Sequence, residues 1–573
     1  MNRPSALRAL WDPHAAATAL VLAAFVVVGA SFDANDSAVW FAGSVGAAVG
    51  SGLVVLGLGA ALFVPLTLLF RWLDGRRAAP EPASFRETAR RRLLPTAGAI
   101  LAGWLPWLLV HAPGNVDSDT ITQRLQWMGL LEQTDHHPWF DTMVFGWFWD
   151  LGSALGDDRI GLFAFLLLQE AATAAGAALV LTYLGWLGMA RPIRWTLTAA
   201  VAVLPVFMAA PSVMSKDAFA AVFWLPFLVL FVEAVRTRGR VLLSARVGVV
   251  ALAIVIPLIL AKRTNVYLVV VCAVVLLVIC ARRARLRVAA GTAGALLVTN
   301  VVWPLLVLPA IGIAPGTATD MLTIPVQQTA RIVAEHGDEI PADERAVIDA
   351  VLRYDGLGEA YVPRRSDTVK GRWNLEAGSE ERLAYARVWL AQVIRYPGTA
   401  LSATAANTFE YFAPVTPMIF QSGIVLDRYL DFWEARALPT TTRAEIEAAI
   451  EDLHESAALD DARLAVNRAT ESLAEGNLLS SKAFYASWVP LIALAYAIRR
   501  RSPLHVLAVS PLLVNLAFLV ASPVALPRYI LPLVYGSVLA IGMMLTPVRW
   551  QNREDDLAPA APAPLTESDA TPG

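Results

Sequence analysis

The chain has 573 residues, of which 57% are hydrophobic and only 16% charged, with a mean hydropathy of +0.54 and a formal net charge of −2. That balance excludes a soluble globular enzyme and describes an integral membrane protein. No basic stripe of the kind that follows a nucleic-acid backbone is visible, and no nucleic-acid partner is expected. Only four of the 46 basic residues are lysines, a bias towards Arg that carries no functional weight.

The N-terminus carries Arg3 and Arg8 ahead of an apolar run, without an Ala-x-Ala cleavage site, and reads as an uncleaved first helix. Runs near the ~20-residue spanning length follow at about 15–32, 38–70, 93–112, 160–189, 196–210, 218–235, 247–261, 265–281, 288–311, 484–498, 503–521 and 527–546. That predicts about twelve transmembrane helices. The runs at 196–210 and 247–261 are short, so each is re-entrant or borrows flanking residues. Arginine clusters at Arg90-Arg91-Arg92, Arg236 to Arg246, Arg282 to Arg287 and Arg499-Arg500-Arg501 alternate with connections poor in basic residues. By the positive-inside rule both termini are then cytoplasmic in a multi-pass plasma-membrane protein.

The glycines of the second run (Gly43, Gly46, Gly50, Gly52, Gly57, Gly59) suggest close helix packing. The tryptophans Trp104, Trp107, Trp139, Trp147 and Trp149 suggest an interfacial belt. Cys272 and Cys280 share one apolar run, and neither a disulfide nor a metal site is expected of them. Five regions result. Residues 1–92 hold two N-terminal spans and a basic cytoplasmic loop, and 93–311 form a transmembrane core whose first outer loop is 113–159. Residues 312–483 form an extracytoplasmic, mostly helical domain, with helical periodicity at 324–335, 345–352 and 443–453. Residues 484–550 are C-terminal spans, and the Ala/Pro-rich acidic stretch 551–573 reads as a disordered cytoplasmic tail.

Ionisable groups beside hydrocarbon are costly and mark functional sites by default. The loop after the third run holds Asp117, Asp119, Glu132, Asp135, His136 and His137. Asp119 heads a short helix on which Gln123 and Gln126 or Trp127 recur at helical spacing. A carboxylate there can act as a general base, and Asp117-Ser118-Asp119 offers oxygen ligands to a divalent cation. The bland alternative is a solvated turn. In His136-His137-Pro138 a ring nitrogen either binds a phosphate or orients the acid, or else Asp135-His136 caps the next helix and Pro138 sits at its first turn. Lys216-Asp217 is a second charged pair on the same side, or a salt-bridged helix end. Lys262, Arg263 and Arg528 break the charge rule there; cations so placed suit a lipid phosphate, the alternative being snorkelling to headgroups.

Taken in order, these pieces resemble the GT-C superclass of polytopic glycosyltransferases, and more narrowly a functionally unnamed bacterial GT-C-like membrane family. The matching pieces are Pro113-Gly114 followed by Asp119 and Gln123, His136-His137-Pro138, Ser215-Lys216-Asp217, Ile324 to Arg331, Ser366 to Lys370 and Asn407-Thr408-Phe409-Glu410-Tyr411-Phe412. The resemblance covers about 93–546. It implies an all-α GT-C-like fold and transfer of a sugar from a polyprenyl-phosphate donor to a cell-envelope glycan or lipid acceptor outside the membrane. It implies that Asp119 is the catalytic base; with the readings above, Asp117 then assists or binds a cation, His137 orients, Arg263 and Arg528 hold the phosphate, and His136, Gln123, Lys216, Asp217 and Lys262 are further substrate contacts. Gln327, Gln328, Arg331, Asp367 and Lys370 would line the outer domain's face, unless they form a buried network pinning that domain to the spans. The adjacent Asp-Glu pair of protein mannosyltransferases is missing, so sugar and acceptor stay open. So do two other functions: a transporter or flippase of lipid-linked saccharides, and a non-catalytic envelope scaffold.

Overall fold

The computed structural model describes residues 11–77, 84–316, 322–418, 429–451 and 457–546. The charged start at Arg3 and Arg8, the end of the helix expected at 443–453 and the tail 551–573 lie outside the described residues.

The first third of the chain forms α1 (Pro13–Asn35), α2 (Val45–Asp74), α3 (Phe85–Val110), α4 (Ser118–Trp127), α5 (Trp139–Ala154) and α6 (Asp158–Trp186). Next come α7 (Arg191–Val203), α8 (Lys216–Arg236), α9 (Ala245–Ala261), α10 (Asn265–Ile279) and α11 (Arg282–Ala310). An inserted domain follows, with α12 (Thr323–His336), α13 (Ala342–Leu352), α14 (Ser379–Arg395), α15 (Pro397–Thr408), α16 (Arg443–Glu451) and α17 (Asp460–Ala474). The chain closes with α18 (Phe484–Arg499), α19 (Pro503–Val520) and α20 (Pro527–Leu545). Among the described residues eight helices, α1, α2, α3, α6, α8, α11, α19 and α20, are long and apolar enough to cross a bilayer, while α9, α10 and α18 are apolar but shorter. The protein is an all-α membrane protein. The run at 196–210 is not one helix: Leu204 is extended (φ −77°, ψ 126°) ahead of Pro205, and a four-residue helix follows. Proline excludes its predecessor from the helical region, which ends α7 there.

In lipid, apolar burial gains little over contact with acyl chains, so helices are held by close packing. α6 is the centre of that packing, lying against α3, α5, α8 and α20. Its face is made of small residues (Ala174, Gly176, Ala177, Ala178), and a Cβ added at Gly176 would stand 2.9 Å from the Leu225 Cβ. The glycines of α2 do not work this way. A Cβ at Gly50, Gly52 or Gly57 would meet nothing within 4 Å, whereas at Gly59 it would touch Leu20. The tryptophan belt is likewise corrected: Trp104, Trp107, Trp139 and Trp149 are buried, and of the five only Trp147 is exposed. Trp104 donates to the Val201 carbonyl (2.8 Å), joining α3 to α7, and Trp107 donates to Ser212 Oγ (3.0 Å), tying α3 to the turn at 209–212.

The two N-terminal helices pack on α18 through Ala15, Leu22, Phe70 and Trp488. Arg499 bridges Asp12 (2.6 Å) and Asp74 (2.5 Å) at their ends. The inserted domain carries a core of Val326, Ala330, Ile348, Val351, Leu352 and Tyr385 across α12, α13 and α14, whereas its α16 packs through Ile446, Ala449 and Ile450 with Ile121 and Leu125 of α4. It is tied to the end of α1 by Arg364, which pairs with Asp33 and Asp36, and by Arg331, which donates to the Asp36 carbonyl.

Candidate functional site

The loop after the membrane-length α3 and the loop after the 191–208 segment are zipped together by a short parallel ladder. Strand β1 (Asn115–Val116) pairs with β2 (Val213–Met214), Asn115 opposite Val213 and Val116 opposite Met214. Thr120 Oγ1 reinforces it by donating to the Met214 carbonyl at 2.8 Å, as Gln169 does to the Pro211 and Val213 carbonyls. The ladder starts from Gly114, whose φ of +113° is a conformation that side chains rarely adopt, and whose added Cβ would run into Leu166. Gly114→Val is therefore expected to cost about 2–3 kcal/mol in backbone strain alone, read as a lower unfolding midpoint in detergent.

This pairing places Asp117 and Asp119, at the start of α4, beside Lys216 and Asp217, at the start of α8. Asp117 caps α4 by accepting from the Asp119 amide (3.1 Å); Ser215 caps α8 by accepting from Ala218 (3.2 Å). Arg528, at the start of α20, completes the group: it pairs with Asp117, reaches Asp119 at 3.2 Å and stands 3.8 Å from Asp217. Lys216 pairs with Asp119 at 3.0 Å, and Lys262 with the fully buried Asp217 at 2.5 Å. The Tyr529 ring lies beside both Lys262 (5.6 Å) and Arg528 (5.4 Å). Three carboxylates thus face three cations. At the rim, Arg263 pairs with the Asp135 carboxylate and donates to the Asp135 carbonyl. Asp135 also caps α5 through the Trp139 amide (2.8 Å), so the capping expected of the Asp135-His136 segment falls to Asp135.

His137 Nδ1 lies 3.3 Å from Lys216 Nζ and 4.0 Å from Asp119, with the His136 ring against it edge-on at 4.9 Å. An ammonium only donates, so Nδ1 is the acceptor and the ring proton sits on Nε2. Burial and the charge of Lys216 push the His137 pKa down to about 3, against the opposing pull of Asp119. Burial alone would raise the Asp119 carboxyl, but Lys216 and Arg528 together hold it well below the usual carboxylate range. The sign follows for stability. His137 is neutral when folded but protonated below about 6.5 when unfolded, so its contribution is complete above that pH and lost as pH falls towards 3. The loss approaches about 1.4 kcal/mol per pH unit. His137→Gln should flatten the fall in melting temperature between pH 7 and 5.

Other expected site residues lie elsewhere. Gln123 is fully buried and donates to Thr142 Oγ1 (2.9 Å), because the α4 face that carries it packs on α5. Gln327 donates to the Val362 carbonyl, and Gln328 donates to Thr404 and accepts from Trp389. Arg331 pairs with Glu335, and Lys370 with Asp367. All five are engaged within the protein; Gln327, Gln328, Arg331 and Lys370 hold the inserted domain together or, through Arg331, to α1. The divalent-cation reading of Asp117 and Asp119 does not fit either. Their oxygens are engaged by Arg528 and Lys216, and among the described residues no three His, Cys, Asp or Glu side chains are grouped to hold a metal.

Sequence reasoning missed Asp141 in the first turn of α5. It is fully buried with both carboxylate oxygens unpartnered, within electrostatic reach of Lys216, Asp217 and Asp135. Burial lifts its carboxyl well above the ordinary range. The available signal was an acid inside the apolar stretch Trp139-Phe140-Asp141.

Fold and site define an all-α membrane protein that concentrates a charge-balanced acid and base cluster where its apolar helices end. Residues 131–559, well over half of the chain, match a family described as a family of unknown function (DUF6020), and the chain belongs to that family. No curated protein and no solved structure matches it.

Proposed function

We propose that this protein is a GT-C-type glycosyltransferase. It moves a sugar from a polyprenyl-phosphate donor to a cell-envelope glycan or lipid acceptor on the extracytoplasmic face of the plasma membrane. The observation that carries the reading is Asp119, a carboxylate held ionised between an ammonium and a guanidinium that begin two membrane-length helices. On this reading the shorter apolar helices and the broken 191–208 segment complete about twelve crossings, both termini are cytoplasmic, and the inserted domain lies outside.

The chemistry follows from the charge balance. At rest Lys216 and Arg528 make Asp119 a poor base. A lipid phosphate entering beside them competes for both cations, and Asp119, partly released, gains proton affinity. Asp119 then takes the acceptor hydroxyl proton while that oxygen attacks the anomeric carbon. The bond from that carbon to the phosphate oxygen breaks, and its electron pair leaves with the polyprenyl phosphate, whose charge meets Arg528, Lys216 and Lys262. Attack opposite the phosphate inverts the anomeric centre. His137, held by Lys216, orients the hydroxyl or phosphate through Nε2–H.

The test is incubation of the purified protein with radiolabelled polyprenyl-phosphate sugars and an envelope fraction. Label passing to the acceptor supports the reading; an intact donor across the range of sugars removes it. A proton-linked transporter of lipid-linked saccharides is a second reading, favoured by Asp141 and Glu170. Both are fully buried carboxyls with no partner on either oxygen. Movement of uncleaved donor across proteoliposomes would select it.

A further inference from the structure

The segment that delivers Arg528 to the carboxylates has no regular structure of its own between the end of α19 and Pro527, yet its backbone is held at four successive carbonyls. Asn407 Nδ2 donates to the Ser522 carbonyl at 2.7 Å. Ser366 donates to the Pro523 carbonyl through its amide (2.9 Å) and its hydroxyl (3.2 Å). Tyr411 OH donates to the Val524 carbonyl at 3.2 Å and lies 3.0 Å from Ser522 Oγ. Lys482 Nζ donates to the Ala525 carbonyl at 2.7 Å and is itself paired with Glu410. All of these side chains come from the inserted domain or its exit into α18, and Lys482 and Asn407 are buried.

A surface loop would leave such carbonyls to water. Here a buried ammonium, whose charge is offset by Glu410, is spent on the carbonyl three residues before Arg528. We infer that Lys482, with Glu410 and Tyr411, is a positioning residue: it fixes residues 522–526 so that the Arg528 guanidinium is delivered onto Asp117 and Asp119. The Asn407 to Phe412 motif and Ser366 thereby gain a task at the ion cluster without touching it. The inference deepens the proposed function, on whose account of Arg528 it rests.

Its test reads the guanidinium directly. In the full-length protein in detergent, Arg528 is modified with phenylglyoxal and quantified by peptide mass spectrometry, with Arg124, buried in α4 and paired to Asp158 at 2.5 Å, as the reference. Lys482→Met is expected to speed Arg528 modification about tenfold and leave Arg124 unchanged, with Lys482→Arg restoring slow labelling. Tyr411→Phe, a milder change, should raise the Arg528 rate two- to threefold if Lys482→Met does not fold. An unchanged Arg528 rate in the folded variants overturns the inference. So does equal acceleration of Arg124, which would make Lys482 a general fold support. Decaprenyl phosphate binding separates this from the function: wild-type affinity in Arg528→Gln removes the phosphate role while the labelling result stands.

Discussion

On the proposed glycosyltransferase reading, Asp119→Asn is expected to lower sugar transfer by about a thousand-fold, the middle of the range for loss of a positioned general base, while the protein still folds. Asparagine keeps the shape and can still accept hydrogen bonds from Lys216 and Arg528, but it cannot take a hydroxyl proton. Neither cation is stranded, since Lys216 retains His137 and Arg528 retains Asp117. Asp117→Asn is the control. Asparagine caps a helix as well as aspartate, so α4 should persist and activity should fall far less. Comparison of initial rates at saturating donor, with melting temperatures for both variants, checks the pair. An Asp119→Asn enzyme of near-normal rate would take Asp119 out of the mechanism.

Arg528→Gln carries the second large effect, on stability and donor binding together. One guanidinium contacts Asp117 and Asp119 and stands near Asp217. Removing a partner from such a partly buried group leaves carboxylates uncompensated, Asp217 among them fully buried, at a cost of about 3 kcal/mol. Lysine is not expected to rescue it, because a point charge cannot bridge two carboxylates as a planar fork does. The same variant should lose a cation proposed to bind the donor phosphate, so affinity for decaprenyl phosphate should drop at least tenfold. Adding Asp117→Asn to Arg528→Gln should recover part of the stability and none of the binding, because it removes a stranded charge without replacing the cation.

The sequence by itself determined the class of protein and the elements. Most apolar runs became helices, eight of them of spanning length among the described residues and the run at 196–210 broken at Leu204, and the helical periodicity at 324–335 and 345–352 was met by α12 and α13. It also singled out Lys216, Lys262, Arg263 and Arg528, because charge at the end of an apolar helix needs a reason. Only the tertiary structure decided which of these meet. Asp119, Lys216 and Arg528 are distant in the chain, and their convergence depends on the β1–β2 ladder and on carbonyl bonds at 522–525 that no periodicity encodes. Local pattern likewise did not separate a glutamine that faces a cavity from one that bonds inward, as Gln123 and Gln327 do. Nor did it separate a lipid-facing tryptophan from the buried Trp104. The reason is common to all of them. Residue type fixes what a side chain can donate, accept or bury, and in a membrane protein lipid and helix core are equally apolar, so only packing assigns the partner.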